Sequence, residues 1–176
     1  MTDHKKSFEL FQELKTSEIY NTISRPVIIS DNLRTPENMG SVLRLAGNIG
    51  AQKTLFVSDI ANQFKNYKIN KTASGAAEKT NWKIITFDEL EDEIPIEYQL
   101  ILLETVSKSI NIYDFKFPEK TAFLIGNEVN GIRQELLDKA DHVLHIPIPG
   151  PVSSLNTTHA LSIAVFEWYR QMVKIS

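Results

Sequence analysis

Three short stretches of the chain carry polar side chains at spacings that can do chemistry. The first, from Asn32 to Gly50, reads Asn-Leu-Arg-Thr-Pro-Glu-Asn-Met-Gly-Ser-Val-Leu-Arg-Leu-Ala-Gly-Asn-Ile-Gly. On a helix beginning near Pro36, Gly40, Arg44 and Gly47 stand at i, i+4 and i+7 and share one face. Two glycines admit another backbone or a flat ligand, and Arg44 between them offers a permanent cation. Asn38, nearly two turns earlier, reaches the same side. A glycine-packed helix with a surface arginine accounts for the pattern equally well. The second stretch is Gly126-Asn127-Glu128-Val129-Asn130-Gly131, a glycine-bounded loop holding one carboxylate directly after an apolar run. It lacks the Gly-Lys-Ser/Thr of a phosphate loop and is not the dinucleotide fingerprint. Taken alone it also fits an ordinary strand-to-helix turn. The third is Ile146-Pro147-Ile148-Pro149-Gly150-Pro151-Val152-Ser153-Ser154-Leu155-Asn156. Its prolines forbid a strand or helix and impose a stiff loop, which delivers Ser154 and Asn156 to the start of the last helix. Ser154 reads as a plain N-cap; Asn156 is less easily explained as one.

These groups need elements to hold them. Phe8, Phe11, Leu14, Ile19 and Tyr20 recur at helical spacing and predict an amphipathic first helix, closed by Arg25-Pro26. Val27–Ser30 is a short buried strand. Thr35-Pro36-Glu37 supplies an N-cap, an N1 proline and a first-turn acid for a helix to about Asn48, ended by Gly50. Further strands are expected at Thr54–Ser58, Trp82–Phe87, Tyr98–Glu104, Thr121–Gly126 and His142–Pro147. A short helix falls between Gly131 and Ala140, and a long apolar one over Leu155–Val173. Apolar strands alternating with helices indicate one α/β domain, a parallel sheet with helices on both faces. In such sheets ligands sit at the carboxyl ends of the strands, where the loop at Gly126 belongs.

Composition sets bounds on function. The 176 residues are 42% hydrophobic and 23% charged, ordinary for a globular protein. There is no cysteine, which excludes disulfides, thiolate nucleophiles and thiolate metal sites, and no metal site is expected. Charges interrupt Met1–Leu14, so it is neither a signal segment nor a membrane span, and the cytoplasm is the expected location. The net charge of −3 does not announce a nucleic-acid binder. Yet between Ala61 and Lys83 five lysines (Lys65, Lys68, Lys71, Lys79, Lys83) face a single acid, Glu78, while Asp88 to Glu97 is acidic. Such a lysine run is either a solvated face or a phosphate contact, the second only if something else implicates RNA.

In combination the three stretches are specific. Asn-x5-Arg on a helix, then Gly-Asn-Glu-x-x-Gly after a strand, then Ile-Pro-x6-Ser-Leu-Asn before a final helix resembles the SpoU/TrmH family of the SPOUT methyltransferase superfamily. The resemblance runs from about Arg25 to Arg170, and Thr72-Ala73-Ser74-Gly75-Ala76 also looks like the family's small-residue segment. It implies an α/β fold with a C-terminal trefoil knot, residues 1–24 forming a helical extension ahead of a methyltransferase domain at 25–176, and a homodimer with the site near the interface. It implies methyl transfer from S-adenosylmethionine to a ribose 2′-hydroxyl of tRNA or rRNA, with no membrane partner.

By matching position, Asn38, Arg44, Glu128, Ser154 and Asn156 take the catalytic places. The cofactor would be held by Leu103, Glu104 and Thr105, by Gly126, Asn127 and Glu128, and by Ile146, Ile148, Ser154 and Leu155, largely through backbone groups. RNA would be met by Arg34, Lys65, Lys68, Lys71 and Lys79. Glu104 departs from the family, where a small or hydroxyl residue is usual, as does Thr157-Thr158-His159; His159 reads as a packing or surface histidine. About 24 residues precede the first strand, the economy of the short tRNA-modifying enzymes, so tRNA is expected over rRNA.

The chemistry implied needs alignment of the 2′-oxygen with the methyl group and removal of a proton. The Arg44 position has been proposed as the base. A guanidinium with a pKa above ~12 has no acceptor when charged, so a neighbouring phosphate clamped by Arg44 is the better proton acceptor. A nicotinamide oxidoreductase would need G-x-G-x-x-G after the first strand, where Ser30-Asp31-Asn32-Leu33-Arg34 stands. A silent RNA-binding relative would be expected to have lost Arg44 or Ser-Leu-Asn, and both are present. Methylation of a protein or small molecule on the same fold stays open.

Overall fold

The computed structural model describes residues 16–59, 66–152 and 154–173. Phe8, Phe11 and Leu14 of the expected first helix lie outside them, as does Lys65. The described part of that helix is α1 (Thr16–Ile19), which buries Ile19. The chain continues as β1 (Val27–Asp31), α2 (Pro36–Ile49), β2 (Lys53–Val57), α3 (Asn66–Ala73), β3 (Trp82–Ile85), α4 (Leu90–Glu93) and β4 (Gln99–Leu103). It ends with β5 (Ile110–Asn111), a 3-10 turn (Ile112–Asp114), β6 (Thr121–Ile125), α5 (Gln134–Lys139), β7 (His142–His145) and α6 (Thr157–Met172).

The helix read from Thr35-Pro36 forms as its sequence dictates. Thr35 is extended and its hydroxyl accepts from Asn38 N at 3.3 Å. Pro36 has no N–H to leave unsatisfied at the first turn. Gly50 ends the helix in the left-handed region at φ 69°, a conformation that costs glycine least. Met39, Val42, Leu43, Leu45, Ala46 and Ile49 form the buried stripe.

The seven strands form one sheet in the order β3-β2-β1-β6-β4-β7-β5, each pairing parallel. Alternate residues leave on opposite faces, which makes two apolar layers. Ile28, Phe56, Ile101, Phe123 and Leu144 join α2, α3 and α6, while Val27, Ile29, Leu55, Leu102, Leu124 and Val143 join Leu90, Ile132 and Leu136. Burying one such side chain stabilises by roughly 1.5–3 kcal/mol, enough that β1, with all five residues buried, needs no local propensity to persist. Trp168 pins α6 to this core, fully buried with its indole N–H donating to Pro118 O at 3.1 Å.

Winding reverses beside β1. From β1 the chain steps outward to β2 and β3, then starts again on the other side at β4. β6 later fills the place between β1 and β4, and β7 the place between β4 and β5. The carboxyl ends of β1, β6, β4 and β7 therefore stand side by side, where ligands bind in open parallel sheets.

Four local features differ from expectation. β5 and the 3-10 turn lie between the strands predicted at 98–104 and 121–126, where no element is predicted, because two strand residues show no alternation. α3 is an eight-residue helix in the lysine-rich stretch and α4 a single turn in the acidic one. α6 begins at Thr157, two residues later than expected, because Asn156 caps it.

Candidate active site

A cavity of about 510 Å³ opens at the carboxyl ends of β4, β6 and β7 and is closed by the start of α6. All ten residues expected to hold the cofactor line it: Leu103, Glu104, Thr105, Gly126, Asn127, Glu128, Ile146, Ile148, Ser154 and Leu155. Asn156 lines it too.

The loop after β6 makes the cavity's floor. A Cβ on Gly126 would sit 2.5 Å from Ile132 N and 2.7 Å from Gly131 O, so only glycine lets this loop fold back on itself. Asn127 and Gly131 exchange backbone hydrogen bonds of 3.0 Å in both directions. The Asn127 side chain accepts from Val129 N (2.8 Å) and Asn130 N (3.1 Å) and donates to Asn32 O (2.6 Å). It is thus a brace tying the loop to the end of β1, with its hydrogen-bonding capacity largely spent inside the protein.

Glu104, the departure noted from the sequence, has a structural task. Its carboxylate accepts from Thr105 N and from Ile132 N, each at 3.0 Å, strapping the end of β4 to the loop after β6. A Cβ on Gly131 would lie 2.5 Å from this carboxylate, so glycine at 131 goes with glutamate at 104. Glu104 and Glu128 both line the cavity, and no lysine or arginine does among the described residues. Two carboxylates without a facing cation make the cavity electronegative.

Glu128 is also where two of the three stretches meet. Its carboxylate accepts from the Asn38 side-chain amide, from Arg34 N at 3.3 Å and from the Thr35 hydroxyl at 3.5 Å. The first turn of α2 is thereby fastened to the loop after β6, across ninety residues of sequence.

The structure also chooses between readings that the sequence left open, and corrects one. The glycine face of α2 meets a helix: a Cβ on Gly40 would lie 2.5 Å from Thr72 Cβ and 3.0 Å from Ile69 O of α3. Gly47 faces Thr80 and Ala76. Glycine at 40 therefore serves packing, whereas a Cβ at 47 would meet Thr80 and Ala76 at ordinary contact distances of 3.5 and 3.7 Å, and the structure does not bring Arg44 to Asn38's partner. Arg44 is exposed and is not among the residues lining the cavity. The cap of α6 is Asn156, not Ser154: its Oδ1 accepts from Thr158 N at 2.9 Å and from the Thr158 hydroxyl at 2.6 Å. Ser154 is exposed on the cavity wall, and His159 is a surface histidine.

Sequence reading missed His145 and Thr157. His145 lines the cavity with Nδ1 3.0 Å from the Ser109 hydroxyl. Ser109 donates to Val106 O at 2.7 Å, so the ring nitrogen is left to donate to Ser109. Thr157 reaches Gly126 O at 3.3 Å. Their position next to the Ile-Pro and Ser-Leu-Asn segments was the available signal. Of the residues expected to meet RNA, Arg34, Lys71 and Lys79 are exposed and Lys68 lies on α3.

Comparison with known proteins agrees with this geometry. The chain is 29% identical over 163 residues to the 23S rRNA (guanosine-2′-O-)-methyltransferase RlmB of Salmonella typhi, covering 92% of this chain and 67% of that protein. Its fold matches the TrmH/SpoU tRNA modifying enzyme of A. aeolicus, with a TM-score of 0.74 and 21% identity over 93% of this chain and 84% of that one. It also matches the SpoU methyltransferase AviRb of Streptomyces viridochromogenes in complex with AdoMet, with a TM-score of 0.74 and 23% identity over 85% of this chain and 58% of the other. The model of the SpoU rRNA Methylase family matches residues 25–166, most of the chain, and the protein belongs to that family.

Proposed function

We propose that the protein methylates a ribose 2′-hydroxyl of transfer RNA, with S-adenosylmethionine as donor, working as a cytoplasmic homodimer. Family membership supports the reaction class, and the electronegative cavity is the observation that carries it. A ligand bearing a sulfonium and an ammonium against one carboxylate is a net cation, which two glutamates and no facing cation suit. Leu103, Thr105, Gly126, Ile146, Ile148 and Leu155 would surround the adenosine, and Glu104 and Glu128 would flank the charged end. The cofactor supplies a methyl group already activated on sulfur.

What remains for this chain is positioning and the proton. Asn38, Arg34 N and Thr35 hold Glu128 in one orientation, so the wall nearest the incoming ribose is preorganised. Ser154 offers a hydroxyl on the opposite wall, and Asn156 fixes the turn carrying it. Arg44, exposed on α2, suits a phosphate of the bound RNA better than a buried base, since a guanidinium cannot accept a proton. In this scheme the phosphate takes the 2′-proton while Arg44 clamps it.

Residues 1–24 are an extension ahead of a methyltransferase domain at 25–176, whose chain ends in a trefoil knot. Insertion of β7 between β4 and β5 supports the knot. Exposed Phe166 on α6 supports a helix-mediated dimer. Exposed Lys71 and Lys79 support RNA over a protein or small-molecule substrate, and retention of Arg44 and Ser154-Leu155-Asn156 argues against a silent relative. The name of the A. aeolicus relative favours tRNA; that of the Salmonella typhi relative supports ribosomal RNA as the second reading. Labelled S-adenosylmethionine incubated with size-sorted total RNA, then digested to nucleosides for mass spectrometry, decides. A 2′-O-methylated nucleoside from the tRNA fraction is expected, and one from rRNA alone would reassign the substrate. No labelled RNA despite calorimetric cofactor binding would end the RNA proposal.

A further inference from the structure

A second cavity, of about 430 Å³, opens beside the first at the carboxyl ends of β1 and β2. Asn127 and Gly131 line both, so one layer of residues separates the two spaces. Its own walls are polar: Asp31, Asn32, Arg34, Asp59, Asn130 and Arg133. Apart from the backbone of Asn32 and Arg34 and the RNA contact expected of Arg34, none of the chemistry assigned so far uses them.

These walls are built before any ligand arrives. Asp31 is 2% exposed and pairs with Arg133, whose Nε donates at 2.8 and 3.0 Å and whose Nη2 lies 2.6 Å away. That pairing holds the Arg133 guanidinium further up its range, Asp31 being the main cause and Asp59 a lesser one. Asn32 sits in the left-handed region at φ 53°, a conformation that asparagine reaches more readily than most residues when its surroundings favour it. Here they do. Its side-chain amide donates to Asp59 at 2.7 Å, its Oδ1 accepts from Asp59 N at 3.1 Å, and its carbonyl accepts from Asn127. The outcome is one carboxylate, Asp59, held by its neighbours and still largely facing solvent, with its side chain 60% exposed.

We infer that this second cavity receives the base of the nucleotide whose ribose is methylated, and that Asp59 reads an amino group on that base. Transfer requires the 2′-oxygen within about 3–3.5 Å of the methyl carbon. The base hangs from the neighbouring ring carbon, so it must lie within one nucleoside's length of the first cavity. The polar hollow across the Asn127 wall adjoins the first cavity and shares Asn127 and Gly131 with it. Unstacked RNA bases are read through hydrogen bonds on their edges. A fixed carboxylate accepts from the amino group of cytosine, adenine or guanine, whereas uracil has no amino group and offers only its N3–H, flanked by two carbonyl oxygens that the carboxylate repels. Arg34, on the rim, is free to meet the adjoining phosphate.

The assignment rests on the proposed RNA reaction, and its test separates the two. Once the target position is mapped, transcripts carrying each of the four bases there are methylated by the wild type and by Asp59→Asn, with cofactor affinity of both proteins measured by calorimetry. The wild type is expected to favour amino-bearing bases over uridine by about tenfold or more, and Asp59→Asn to shrink that preference several-fold with cofactor affinity unchanged. An equal response to all four bases in the wild type, or a preference that survives the substitution, would overturn the base pocket alone. A wild type that methylates no RNA but binds cofactor would overturn the RNA reaction and the base pocket with it.

Discussion

The Asn38 side-chain amide donates to the Glu128 carboxylate, joining the first turn of α2 to the loop after β6 beside the 510 Å³ cavity. Asn38→Asp replaces that donor with a second carboxylate. Repulsion would swing Glu128 away, and misplacement of a positioning group costs on the order of a hundredfold in rate. Methyl transfer should fall by about that much while the unfolding midpoint, set by the core, moves by the equivalent of about 1 kcal/mol or less. Single-turnover methylation alongside thermal unfolding checks both halves.

Glu104→Gln should separate the two forms of the cofactor. S-adenosylmethionine carries a sulfonium and S-adenosylhomocysteine a neutral sulfur, so loss of one cavity charge should weaken the first by roughly three- to tenfold and the second less. Calorimetric titration of both ligands gives the ratio. Equal losses would mean that the carboxylate acts only as the strap between Thr105 N and Ile132 N.

A methyl group on Gly126 has nowhere to go, with Ile132 N at 2.5 Å and Gly131 O at 2.7 Å from its Cβ. Gly126→Ala should force the loop open, lower stability by about 1–3 kcal/mol and weaken cofactor binding at least tenfold. Retained cofactor affinity would show that the loop can relax without reshaping the cavity.

Arg44→Lys tests the phosphate clamp. A lysine keeps the charge but loses the planar fork, so turnover should drop by about tenfold with cofactor affinity untouched. Near-normal turnover would remove the need for a bidentate contact.

Alkaline stability should report on Tyr20. Burial pushes its phenol from 10.0 up to about 12, against a smaller opposing pull from Arg25. The unfolded chain therefore loses this proton first. Its contribution is fully present below pH 10 and is lost as pH rises toward 12. Burial raises Tyr98 and Tyr169 in the same direction. Tyr20→Phe should flatten part of the fall in unfolding midpoint above pH 10, at the cost of the hydrogen bond to Ile49 O.

How much of this was readable beforehand varies with the length scale of the cause. α2 was legible from Thr35, Pro36 and Gly50 because its caps are local chemistry. The ten cavity residues were legible because three motifs mark three loops, and a parallel sheet brings such loops to one edge. The two uses of Asn156 and Ser154 were exchanged because either residue type caps a helix; only backbone geometry says which one stands at the boundary. At Gly40 a ligand and a packed backbone fitted equally well, because a glycine shows that something comes close without saying what. In this fold it is Thr72 and Ile69. The Asp31–Arg133–Asp59 group was invisible for a different reason. Its members stand up to 102 residues apart and share no motif, and an aspartate ending a buried strand is the one trace it leaves in the sequence.

The place of β7 has a consequence for how the molecule comes together. β5 pairs with β7, and β7 fills the gap between β5 and β4. Until residues 142–145 arrive, the edge of the sheet beyond β4 stays unpaired and the cavity lacks the wall formed by Leu144, His145 and Ile146. Without β7 in place that cavity is incomplete. A ligand that fills the cavity therefore favours the finished topology over any form of the chain in which β7 is not yet placed.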